Sequence, residues 1–241
     1  MLRKVPLAPL EWYHIYTRGI DKRVVFQDDA DFYRFKKLLY LGNDTAPINL
    51  ELLKELSYRE VFVRERKEQL VSIGAYCLMT NHPHLLVQQR VENGITRFMR
   101  KIGTAYTMYF NKKYDRIGNL MVKPFRSKHI SDDLYFRKVA QYIHINPAEI
   151  FEHGWKVGKV SDIEKLKHQM LGYKHSSLYD YSNNAIRPER AILDPDAFTL
   201  ISDGMPPFEE VLKEAHIYYK EIEATFDPKP RGRPKLKGDT F

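Results

Sequence analysis

The chain has 241 residues, 43% of them hydrophobic, and one cysteine, enough apolar material for a buried core in one elaborated domain or two small ones. No run approaches the ~18 apolar residues of a membrane helix, and the first residues lack an apolar signal core, so a cytoplasmic protein with no membrane partner is expected. Cys77 alone excludes an internal disulfide and a multi-cysteine zinc site, and a balance of 39 Lys and Arg against 31 Asp and Glu, net +8, favours a polyanionic partner.

Residues 11–18, EWYHIYTR, are β-branched and aromatic and are followed by Gly19, which predicts a first strand. In DDADFYRFKKLLYLG the spacing of Phe32, Phe35, Leu38 and Leu39 predicts a helix that starts near Asp28 and Asp29 and ends at Gly42. The charged stretch 49–69 reads as an insertion with partly helical pieces. Residues 70–89, LVSIGAYCLMTNHPHLLVQQ, form two β-rich runs around the turn Thr80-Asn81. A second long helix is predicted over 94–114, a strand over 119–130, and a third helix capped by Ser131 that ends by Asn146, because Pro147 disfavours helical geometry before it. The order β-α-β-β-α-β-α predicts an α+β protein with a ferredoxin-like antiparallel sheet, helices on one face and a terminal helix packed across it. Beyond Pro147 a mostly helical C-terminal extension is expected, with a turn-rich patch SNNAIRPER and a helical segment at 208–224.

His82 and His84 stand two apart in an apolar run, so in an extended segment both imidazoles leave one face and can grip one divalent ion; two polar residues beside a turn is the bland alternative. In the third helix Phe136, Val139, Ala140 and Ile143 form the core stripe, which places Tyr135, Tyr142 and Asn146 on its flank. A phenol beside an amide oxygen suits metal-assisted phosphoryl transfer, although a packed tyrosine and a helix C-cap asparagine would look the same. His14 reads as a strand residue near the site, and His144 as pointing off the Tyr142 face.

These residues carry a resemblance. MTNHPHLLV is similar to the histidine signature of the single-tyrosine HUH transposases, particularly the REP-associated kind, and QYIHINPAE to their tyrosine segment, in the same order. Further likeness in YHIYTRG, YTMYFNKKYDRIGNLMVKPFRS and HSSLYDY extends it over residues 10–182. The resemblance implies an HUH catalytic domain over 1–150, with an accessory insertion at about 43–70, that holds Mg²⁺ or Mn²⁺ through His82 and His84 with Asn146 as third ligand. It implies Tyr142 as nucleophile in nicking and rejoining single-stranded or hairpin DNA, through a 5′-phosphotyrosine that conserves phosphodiester energy without ATP. Pro83, where the family places a bulky apolar residue, lacks a backbone N–H and weakens strand pairing there. The extension then spans 151–226.

Arg97, Arg100 and Lys101, with Lys123, Arg126 and Lys128, are candidate contacts to the DNA backbone; a solvated charged face would read alike. The tail, 227–241, includes PKPRGRPKLKG with five basic side chains and no acid. It is expected to be disordered, with Arg231 and Arg233 in an AT-hook-like core that would enter the minor groove of A·T-rich duplex. The expected function is thus metal-dependent DNA strand transfer by a monomer or homodimer. The alternatives are a non-catalytic nucleic-acid-binding regulator on the same scaffold and a metal-dependent hydrolase with no covalent step.

Overall fold

The computed structural model describes residues 6–49, 51, 55–182, 186–204, 206–213, 217 and 219. The aromatic run forms β1 (Trp12–Tyr16), and the amphipathic run that follows forms α1 (Asp29–Leu41), whose first turn is capped by Asp28 accepting from the Asp31 N–H. Within the insertion, α2 (Tyr58–Val63) opens with a capping box between Ser57 and Glu60. The two β-rich runs become β2 (Val71–Met79) and β3 (His82–Gln89), and α3 (Gly94–Lys113) follows at once. Gly94 is required there: a Cβ would lie 2.3 Å from the Leu70 carbonyl oxygen.

Only the end of the predicted 119–130 strand pairs as such, in β4 (Arg126–Ile130); before it Met121 makes an isolated bridge to Gly19, and Pro124 has no ladder donor to offer. The third long helix, α4 (Asp133–Ile145), is capped by Asp132, which accepts from the Tyr135 N–H at 2.8 Å, rather than by Ser131, whose hydroxyl donates to Asp132 instead. Asn146 ends it as expected, but Pro147 takes up helical geometry itself and starts a further turn, α5 (Ala148–Phe151). The extension adds α6 (Ile163–Leu171), α7 (Leu178–Ser182) and α8 (Pro195–Ser202), and residues 208–213 are helical, the start of the predicted last helix. The basic tail, with Arg231 and Arg233, lies outside the described residues.

The four strands form one antiparallel sheet in the order β2-β3-β1-β4, the ferredoxin-like arrangement predicted. Pro83 costs the sheet little: β1 pairs with β3 only as far as Tyr16↔His84, so at Pro83 the strand has one neighbour, β2. One face of the sheet, including Tyr13, Ile15, Leu85 and Val87, packs on Phe32, Phe35 and Leu39 of α1 and Phe98, Ile102 and Tyr106 of α3. The other, including Ala75, Cys77 and Leu86, lies under Phe136, Val139, Ala140 and Ile143 of α4 and Ala197 and Ile201 of α8. The stripe read from the α4 sequence is buried, and so are Gln141, Tyr142, His144 and Ile145 around it.

Insertion and extension meet beside α1. The Lys36 ammonium donates to the Glu189 carboxylate at 2.6 Å with both side chains buried, and the Tyr58 hydroxyl donates to the same oxygen at 2.7 Å. The extension also covers the outer edge of β2, where the Ser177 and Asp194 N–H groups donate to the carbonyls of Tyr76 and Ile73. Among the described residues no helix is long and apolar enough to cross a membrane.

Candidate active site

Alternation along β3 sends His82 and His84 to the face beneath α4, and alternation along β1 sends His14 and Tyr16 to the same face. The register sets Tyr16 opposite His84, and α4 lays Tyr142 over them. Ring centroids are 4.7 Å apart for His82 and His84, 5.1 Å for His14 and His84, and 5.7 Å for Tyr142 against either His14 or His84. A cavity of about 440 Å³ opens here, lined by His82, His84, Tyr142 and Asn146 and by the charged Arg18, Arg126, Glu149 and Lys156.

His14 and His84 are fully buried and joined by a 2.9 Å contact between His14 Nε2 and His84 Nδ1. Burial, with the nearby Arg18 and Lys156 charges, lowers His82 to about 3; burial, then Lys128 and His82, does the same for His14; burial holds His84 well below its usual value. All three imidazoles are therefore neutral near pH 7, the state in which a ring nitrogen can ligate a metal. If His84 offers Nε2 to the cavity, its proton sits on Nδ1 and is donated to His14 Nε2, which orients the ring as a metal-binding histidine requires. His14 then carries its own proton on Nδ1, a buried atom with no hydrogen-bond partner among the described residues.

Tyr142 is 1% exposed, and burial raises its phenol above the ordinary tyrosine value, a shift that a hydrogen bond from the Asn146 side chain opposes. Asn146 also donates through Nδ2 to the Tyr142 carbonyl at 2.8 Å, so phenol and amide are held as a unit by the end of α4. Around them the cavity is basic. Arg18 Nε is buried with no hydrogen-bond partner among the described residues, while Lys156 pairs with Glu149 at 2.8 Å and donates to the Tyr219 hydroxyl.

Two neutral imidazoles and an amide form a borderline nitrogen and oxygen donor set that could hold a divalent cation, with a transition ion such as Mn²⁺ suited better than oxygen-seeking Mg²⁺. Among the described residues no three His, Cys, Asp or Glu side chains group to hold a metal, so the remaining ligands would be Asn146, water or substrate oxygens.

The predicted basic residues divide. Arg126 lines the cavity, and Lys128, opposite His14, reaches over the Tyr135 ring at 5.2 Å. Arg97, Arg100 and Lys101 stand on α3, across the sheet from Tyr142, beside a separate hollow bounded by Pro47 and Ile48. There the Lys101 ammonium is spent on the carbonyls of Asp44 and Ala46. His144 points away from Tyr142, bonding the Ser177 hydroxyl at 2.8 Å.

Among the charged cavity residues, Arg18, Glu149 and Lys156 escaped the sequence reading, and His14, read only as a strand residue near the site, lies buried behind the cavity against His84. Only Glu149 left a usable signal, three residues after Asn146 and seven after Tyr142 on a helical path that Pro147 does not interrupt.

Tyr142 thus faces the paired histidines beneath α4 on one face of a ferredoxin-like sheet. The family model described as IS200-like transposase matches residues 47–146, which take in both the histidine strand and the tyrosine helix. In this stretch the chain is similar to that family, which bears out the resemblance to the single-tyrosine HUH transposases drawn from the two motifs. A solved structure of a REP-associated tyrosine transposase bound to a REP hairpin aligns over 78% of this chain and 88% of that one, with 13% identity and a TM-score of 0.46. No curated protein matches the chain significantly.

Proposed function

We propose that the protein nicks single-stranded DNA, at or near a hairpin, and rejoins it through a covalent 5′-phosphotyrosine on Tyr142. The observation that carries this reading is the burial of the Tyr142 phenol in one basic cavity with two neutral histidines and an asparagine. Arg18 Nε, without a hydrogen-bond partner among the described residues, makes that cavity fit a phosphodiester together with Arg126 and Lys156.

In the proposed step the Tyr142 oxygen bonds to phosphorus, the bond from phosphorus to the 3′ oxygen breaks, and the phenolic proton ends on that oxygen as a 3′-hydroxyl. Attack by a 3′-hydroxyl on the phosphotyrosine reverses the exchange and restores Tyr142. A divalent ion held by His82, His84 and Asn146 would polarise the phosphate and offset the charge that develops on it. Burial alone makes the phenol a poor nucleophile, so the cavity's cations supply the stabilisation its anion needs. Asn146 orients the phenol, and His14 orients His84.

The AT-hook-like tail is proposed as a second contact, to A·T-rich duplex, and equal affinity for G·C duplex would remove it. The catalytic reading is tested with single-stranded hairpins labelled at either end and titrated with Mn²⁺. Cleavage that appears with metal, is abolished by chelator, and leaves a free 3′-hydroxyl is expected. Tight binding with no cleavage on any hairpin would assign the chain to the non-catalytic regulators.

A further inference from the structure

A second cavity, of about 730 Å³, shares no lining residue with the histidine pocket. It forms where the insertion meets the extension, between Arg59, Val63 and Arg66 on one side and Ile186, Arg190 and Phe198 on the other. Asp194, on its wall, bonds the Ile73 carbonyl through its N–H, which pins the groove to the start of β2. Met79, the partner of His82, is six residues further along that strand, about 20 Å at ~3.3 Å per residue.

Four arginines face one carboxylate, Asp194, in this groove. Arg187 is consumed by Asp180, whose two oxygens it meets at 2.7 and 2.6 Å. Arg190 gives one N–H to the Asp180 carbonyl at 3.3 Å, and Arg59 stands exposed. Arg190 lies 3.6 Å over the Phe198 ring and Arg66 4.1 Å over Tyr40, so each guanidinium is held flat on an aromatic face with N–H groups at its edge. Arg66 Nη1 is buried with no hydrogen-bond partner among the described residues. Beside these cations stand two large apolar side chains in water, Val63 at 80% exposure and Ile186 at 84%. Phosphate-binding edges next to bare apolar surface match a strand whose bases are unstacked; a duplex would satisfy the arginines and leave Val63 and Ile186 wet.

We propose that this groove holds a single-stranded segment of DNA flanking the cleavage site, a second binding site remote from the chemistry. Its assignment to substrate DNA rests on the catalytic reading above; its affinity for a single strand does not.

The test uses the full chain with a fluorescent oligothymidylate of about a dozen nucleotides. Arg59→Glu and Ile186→Glu change exposed side chains and leave the fold intact. Each is expected to weaken binding about five- to tenfold, and Arg59→Glu to lower the slope of log affinity against log salt by about one. Unchanged affinity in both variants overturns the proposal. So does an equal loss for a polyglutamate peptide of matching charge, which would make the groove an acidic-peptide site. Both variants should cleave a hairpin trimmed to its cleavage site at the wild-type rate and a hairpin with a long single-stranded flank more slowly. If the wild type binds oligothymidylate through the groove and cleaves neither hairpin, the catalytic reading fails and the groove stands.

Discussion

The two faces of β1 and β3 are made by alternate residues of the same short segments and have opposite characters. Tyr13, Ile15, Leu85 and Val87 face α1 and α3 in a closed apolar layer, whereas His14, Tyr16, His82 and His84 face α4 across a cavity. The first face is stabilised by burial, at about 1.5–3 kcal/mol for each large side chain. The second gives up part of that stabilisation, because neutral imidazoles and a buried phenol replace aliphatic groups and at least one ring nitrogen, His14 Nδ1, has no hydrogen-bond partner among the described residues. A one-residue shift in register would exchange the faces, so the closed layer is what holds the histidines at the site.

That contrast can be broken from either side. His82→Ala, on the open face, should cut metal-dependent cleavage by on the order of 10³-fold and abolish Mn²⁺ binding measured by calorimetry, with a small effect on melting. Leu85→Ala, three residues along on the closed face, should cost about 2–5 kcal/mol in denaturant unfolding and leave cleavage per folded molecule unchanged.

Acid should act on the open face first. The folded-state values of His14 and His82 are lowered to about 3 and that of His84 well below normal, so the unfolded chain binds the extra protons. Stability is therefore complete above the unfolded histidine value of about 6.5 and is lost as pH falls from there toward 3, by up to about 1.4 kcal/mol per histidine per pH unit. Melting temperature measured from pH 8 to 5 should be flat above about 7 and fall steeply below 6. A smaller effect sharpens the comparison further. His14→Gln should weaken Mn²⁺ binding about 10- to 100-fold while Tyr142 still reacts at saturating metal, as expected of a residue that acts through His84.

How much of this was legible in the sequence follows from range. Helical and strand periodicities are local, so α1, α3, the β2–β3 pair and the buried stripe of α4 could all be read directly. So could His82 with His84 and Tyr142 with Asn146, each pair being set by spacing within one element. The meeting of the two pairs came from the family likeness, since no local pattern joins residues 58 or more positions apart. His14 reaches His84 only through the β1–β3 register, a pairing 70 residues apart, and Arg18 and Lys156 enter the cavity on connecting segments with no period to read. The over-long strand before β4 and the Ser131 cap failed for a different reason. Pro124 and the adjacent Asp132 are both local competitors, and each won over the residue favoured by the pattern. The basic residues of α3 stand across the sheet from the cavity, a placement the sequence did not reveal because charge carries no information about which side of a sheet a helix covers.

The central claim is that the open face carries a nucleophile, and it is tested most directly by denaturing electrophoresis of the protein incubated with end-labelled hairpin DNA and Mn²⁺. The account predicts a covalent protein–DNA band in the wild type, lost with chelator and in Tyr142→Phe, with the DNA remnant located by peptide mass spectrometry on Tyr142. A metal-dependent nick that leaves no adduct, or an adduct that survives Tyr142→Phe, would contradict it.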